Sequence, residues 1–291
     1  MKKAIKTLKP YLFVAPALIV FIVFSIYPIL NTIFLSFYEW DMISPTKEFV
    51  GIKNYQTLFR DVKFYQTLSN TFVYMLSTVG LGVILAIALA LFLRKDTRIN
   101  KFMQNLIFTP YIVSLASISF LWMWLMNNDF GLLNYLLSLV GVGPIDWLGN
   151  PKVALISLVI ISVWKTLGYN TLIILSALQS IPKHLYEAAS LDKATKRQTF
   201  FKITLPMISP TLFFLTIVSI IASFKVFETI QIITNGGPQN STNTLVYSIY
   251  EYGFQFYKIG YASTIGVVLL VIISIFTIIY FKLLSKKVHY Q

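Results

Sequence analysis

Three charged side chains stand where hydrocarbon makes them costly. Lys165 lies in the apolar run 153–177, and Lys225 and Glu228 lie in the run 211–233. A charge at the centre of a membrane helix costs on the order of 2.5–3.5 kcal/mol, so such groups face other helices or water. Lys225 and Glu228 are three residues apart, the spacing at which two side chains meet on one helix. Helical spacing also places Ser162, Tyr169 and Ser176 on roughly the same face as Lys165. Lys165, Tyr169, Lys225 and Glu228 are therefore candidates for a polar path through a membrane. Their alternative role is structural, as glue between helices or as side chains snorkelling to the interface.

A second polar group separates the two runs. Glu187-Ala188-Ala189-Ser190-Leu191-Asp192-Lys193-Ala194 leads to Ile203-Thr204-Leu205-Pro206, with Lys183, His184, Lys196, Arg197 and Lys202 alongside. Glu187, Ala188, Ala189 and Leu191 favour helix and Pro182 stands near the start, so a short helix is expected there. Pro206 and Pro210 separate it from the next run. On charge alone this is a solvated basic loop, yet it carries more ordered sequence than a turn requires.

Catalytic chemistry is missing. There is no G-x-x-x-x-G-K-[ST] phosphate loop and no G-x-S-x-G nucleophile elbow, and His184 and His289 do not form an H-E-x-x-H zinc motif. The chain has no cysteine, which removes disulfides, thiolate metal sites and thiol nucleophiles. No two carboxylates sit at helical spacing inside an apolar run. No catalytic and no metal-binding residue is assigned, and an intramembrane enzyme would lack its acid, base and metal.

The elements that must hold these residues follow from composition. The chain has 291 residues, of which 56% are hydrophobic and 12% charged. That pattern belongs to an all-α membrane protein. About 20 apolar residues cross a bilayer, and six stretches reach that length: 11–38, 71–93, 105–126, 153–177, 211–233 and 261–281. The first follows four lysines but is too long for a cleaved signal, and Pro16 and Pro28 are its expected kinks. The net charge of +13 is unevenly spread. Sixteen Lys and Arg fall in the two tails and the second and fourth connections, against six in the others. The positive-inside rule then puts both termini in the cytoplasm. The charge reads as orientation signal and lipid contact, not as a nucleic-acid surface. A single domain of residues 1–291 is expected, with the first span peripheral and the core at roughly 66–284.

Glu187-Ala188-Ala189, Asp192-Lys193-Ala194 and Ile203-Thr204-Leu205-Pro206 resemble the EAA loop of binding-protein-dependent ABC importer permeases. The family pattern has glycine where Lys193 stands, at the tight turn after the first short helix. Phe49-Val50-Gly51-Ile52-Lys53-Asn54-Tyr55, Asn70-Thr71 and Thr234-Asn235-Gly236-Gly237-Pro238 are similar to further segments of sugar permeases, in the same order. Tyr250 through Tyr261-Ala262-Ser263 continues in register, so the resemblance covers nearly the whole chain. It is to the MalF/UgpA-like permeases.

The resemblance implies a MetI-like ABC importer permease fold with six transmembrane helices in a bacterial inner membrane. It implies that Glu187, Ala188, Ala189, Asp192, Lys193, Ala194, Leu205 and Pro206 belong to a loop that docks on an ATPase. The implied partners are a second permease chain, two cytoplasmic ABC ATPase subunits and an extracytoplasmic substrate-binding lipoprotein. ATP would be bound by a partner, and this chain needs no cofactor. The implied substrate is a sugar, with glycerol phosphate as the alternative in the same subfamily. An ion-coupled carrier is the competing class, but only Glu228 offers an intramembrane carboxylate and no repeat is visible.

The charge split predicts an orientation. In Lys3→Cys, Ser138→Cys, Asn240→Cys and Ser285→Cys, an impermeant thiol reagent applied to intact cells should label only positions 138 and 240. Labelling at 3 or 285 without labelling at 240 contradicts that orientation.

Overall fold

The structure is a computed structural model that describes residues 13–284. The tail lysines Lys2, Lys3, Lys6, Lys9, Lys286 and Lys287 lie outside the described residues. Helix α1 spans Phe13–Leu35 and is followed by strands β1 (Tyr38–Glu39) and β2 (Glu48–Phe49) and helix α2 (Lys53–Arg60). Then come α3 (Val62–Leu93), α4 (Arg98–Ile112), α5 (Leu115–Leu125), α6 (Leu132–Leu139) and α7 (Ala154–Gln179). The chain continues through α8 (Lys183–Leu191), α9 (Lys196–Thr199), α10 (Leu205–Phe224), α11 (Glu228–Ile233), α12 (Leu245–Tyr250) and α13 (Ile259–Leu284).

Five helical stretches are long and apolar enough to cross a membrane, or six if α4 and α5 count as one span. One expected span is sharply bent, and in another the regular helix is interrupted. The run 105–126 was expected as one helix, but α4 and α5 meet at a bend of 101°. Pro110 withholds an N–H from the last turn of α4, and Val113 is extended. Ser114 then starts α5, its hydroxyl accepting from the Ser117 N–H at 3.2 Å. The run 211–233 lies within one span-length stretch, Lys196–Ile233, in which the regular helix is interrupted between Phe224, the end of α10, and Glu228, the start of α11. In α1 the irregularity is a π turn, Ile22–Ile26, directly before Pro28, where the ring displaces regular hydrogen bonding.

The chain forms two compact units. One comprises the described residues up to Phe64 with Ser248–Val271; the other comprises Tyr65–Tyr247 with the described residues from Ile272. In the first, β1 and β2 pair antiparallel with Tyr38 opposite Phe49 and Glu39 opposite Glu48. Asn54 holds the turn after α1: its buried amide donates to the carbonyls of Ser36 and Tyr38, both at 3.0 Å. Gly260 lies against the Tyr38 carbonyl so closely that a Cβ there would collide with it.

The second unit packs around α7. Ile174, Leu175 and Leu178 of α7 bury against Ala86 and Ala90 of α3 and Ile208 and Leu215 of α10. Two alanines one turn apart on α3 let its backbone come close, as small residues do in membrane bundles. Gly168 serves the same purpose between α7 and α4, where any Cβ would strike the Ile107 carbonyl.

Candidate functional site

The break after α4 leaves carbonyls with no helical partner, a severe cost away from water. Lys165 of α7 answers it. Its ammonium donates to the carbonyls of Val113 at 2.7 Å, Pro110 at 3.3 Å and Tyr111 at 3.4 Å. An ammonium has three N–H donors, and three carbonyls receive them. One turn further on, the Tyr169 ring stacks on Tyr111, with centroids 4.4 Å apart and planes 11° from parallel. Trp122 of α5 meets Trp164 edge to face at 5.5 Å. Lys165 and Tyr169 thus come together at the bend, among aromatic rings.

The other expected path residues are arranged differently. Ser162 and Ser176 do not extend a polar row: the Ser162 hydroxyl bonds Tyr74 at 2.5 Å, and Ser176 donates to its own helix at Leu172. Lys225 caps the end of α10 while Glu228 begins α11, so they do not share a helix. They form no ion pair among the described residues. The expected pair fails because the residues between them leave the helical path. Both side chains are exposed on the single chain.

The polar stretch between α7 and α10 is folded throughout. α8 begins directly after Pro182 and ends in a hydrogen-bonded reversal. The Ala194 N–H donates to the Ala189 carbonyl at 2.9 Å, and the Lys193 N–H to Ser190 at 3.0 Å. This is the Schellman pattern, which needs a left-handed residue at its turn. Lys193 is that residue, with φ 53°. Thr195 then caps α9, in a reciprocal box with Gln198. The chain enters α10 through a π turn, Phe200–Thr204, with Leu205 and Pro206 in the first turn of the helix.

The faces of α8 divide cleanly. Leu185 and Tyr186 pack on the α3–α7–α10 core, Ala189 is buried, and the Tyr186 hydroxyl bonds Thr204 at 3.2 Å. Glu187, Ala188, Asp192 and Lys193 are exposed, and Leu191 is 83% exposed. A rigid inner face therefore carries an outer face with one acid, a small residue and an apolar knob.

Comparison with known proteins places this architecture. Residues 79–290 match the binding-protein-dependent transport system inner membrane component family. The chain belongs to this family. It is 37% identical over 268 residues to the protein named "probable ABC transporter permease protein YurN" of Bacillus subtilis strain 168, covering 90% of this chain and 91% of that one. It is 35% identical over 285 residues to the sn-glycerol-3-phosphate transport system permease UgpA of Pectobacterium atrosepticum, covering 97% and 96%. A solved bacterial ABC transporter, involved in import of the acidic polysaccharide alginate, matches with a TM-score of 0.80 at 25% identity over 97% of this chain and 98% of that one. This chain is the membrane-spanning permease of an ABC importer.

The segments that carried the resemblance prove to be polar clamps in this permease. The Asn70 amide donates to the carbonyls of Asn240 at 2.8 Å and Asn243 at 3.0 Å, and Thr71 receives the Leu245 N–H at 3.0 Å. The turn they hold runs through Asn235 and Gly236, both with positive φ. Sequence reading marked Asn70 and Thr71 without a role, and it missed the Tyr186–Thr204 bond and the Thr195 cap. The T-x-x-Q spacing from Thr195 to Gln198 was the available signal for the cap.

A left-handed side chain costs roughly 1–2 kcal/mol relative to glycine. Lys193→Gly should slow tryptic cleavage after Arg197 in the purified permease, and Lys193→Val should speed it. Equal cleavage rates in wild type and Lys193→Val contradict the need for that turn.

Proposed function

We propose that the permease imports carbohydrate, received from an extracytoplasmic binding lipoprotein and driven by a separate ATPase seated on α8. Membership of the permease family, with an alginate importer among the solved structures it resembles, carries this reading. The Lys165 donors are committed to backbone carbonyls, which favours a neutral sugar over glycerol phosphate. The relatives' names are consistent with both classes, and the position of Lys165 supports the sugar. Lys225 and Glu228, exposed on the single chain, suit a water-filled path or the face of a second permease chain, and a heterodimer is the proposed pore. Both termini lie in the cytoplasm on the charge distribution. Family membership favours ATP-driven import over an ion-coupled carrier.

Energy would enter through the outer face of α8. Glu187 supplies a hydrogen-bond acceptor and Ala188 a close approach. Removing one partner of a buried charge pair costs about 3–5 kcal/mol, so reversal at Glu187 should uncouple the subunits. The assay is ATP hydrolysis by the assembled importer in proteoliposomes with its binding protein. A neutral oligosaccharide should stimulate wild type, and glycerol 3-phosphate should not. Glu187→Lys and Ala188→Glu should abolish stimulation with the permease still inserted, while Lys202→Ala should leave it intact. Stimulation by glycerol 3-phosphate alone overturns the sugar assignment. Normal stimulation in both loop variants overturns the coupling role.

A further inference from the structure

A cavity of about 760 Å³ lies between the end of α3 and the α8–α9 loop. Its polar wall carries Arg94, Lys95 and Lys196, and none of these cations forms an ion pair among the described residues. No Asp or Glu lines it. The acid of that connection, Asp96, is turned to Lys101 at 2.8 Å. Leu91, Phe92 and Phe200 give it an apolar lining as well, and Phe92 is 73% exposed at the end of a span-length helix. The cavity thus joins unneutralised cations to apolar side chains beside the end of a span-length helix.

We infer that this cavity binds the phosphate of an anionic phospholipid, with Arg94, Lys95 and Lys196 on the head group and Phe92 and Phe200 against the acyl chains. Three cations held together without counter-charges repel one another, and a phosphate relieves that repulsion. A free phosphate would satisfy the cations but leave the apolar lining uncovered. Basic pockets beside cytoplasmic span ends are where such head groups settle. The lipid would then rest against Tyr186 and Thr204, the hydroxyls that tie α8 to the base of α10. Lipid charge would in this way bear on the rigidity of the loop.

The test uses the assembled importer in nanodiscs of phosphatidylcholine with and without phosphatidylglycerol, read by native mass spectrometry of retained lipid. Wild type should retain phosphatidylglycerol selectively. Each of Arg94→Gln, Lys95→Gln and Lys196→Gln should weaken retention about fivefold, since a cation near the surface contributes on the order of a fivefold factor. Lys63→Gln, an exposed cation elsewhere, should not. Single variants keep the test open if the triple variant fails to insert. Retention unchanged in all three variants overturns the proposal. Displacement by inorganic phosphate at the concentration that saturates the pocket would assign it to the free ion instead. Retention by the isolated permease that vanishes when the ATPase assembles would assign the pocket to that subunit.

Discussion

Hydrocarbon offers a polypeptide backbone no hydrogen-bonding partner, so a helix can break inside a membrane only where protein groups replace the missing bonds. The break after Ile112 is the point on which the second unit turns. The bend of 101° separates α4 from α5, and the carbonyls it strands are taken up by one ammonium. Lys165 is thereby explained without invoking a substrate charge. The same residue anchors α7, the helix around which α3 and α10 pack and from which α8 follows. Close approach at Gly168, one turn on, keeps the ammonium within reach of its carbonyls.

From that anchored helix the chain reaches the loop between α7 and α10 without a slack segment. α8 is seated on the core through Leu185, Tyr186 and Ala189, closed by the Lys193 reversal and capped again at Thr195. A loop built this way can carry force, because displacement of its outer face moves the ends of α7 and α10 together. The strained turn at Lys193 shows that the reversal is required by the fold rather than by a glycine. Backbone hydrogen bonds from Lys193 and Ala194 hold a lysine in a conformation that side chains ordinarily avoid.

Much of this was legible in the sequence, and the failures have physical causes. Apolar length marked the spans, and Pro182 lay near the expected start of α8 and is its N-cap. Hydropathy, however, records composition and not direction, so the breaks at 113–114 and 225–227 were invisible in runs 105–126 and 211–233. The assumed pairing of Lys225 with Glu228 fell with the second break. The acceptors of Lys165 lie 52 to 55 residues away in the chain, beyond any periodic rule. The roles of Asn54, Asn70 and Thr71 were hidden for a related reason. Their side chains close turns that are distant in sequence or set by backbone geometry, and residue type alone does not reveal that.

The central claim is that the outer face of α8 is where the energy-supplying subunit sits. The chain contains no cysteine, so Ala188→Cys creates a unique thiol. The decisive measurement is cross-linking from that thiol to the ATPase in the assembled importer, with Ser138→Cys as the reference position. The account predicts a cross-link from position 188, none from 138, and a change in yield when the ATPase binds nucleotide. No cross-link from 188, in an importer that still hydrolyses ATP in response to substrate, would contradict it.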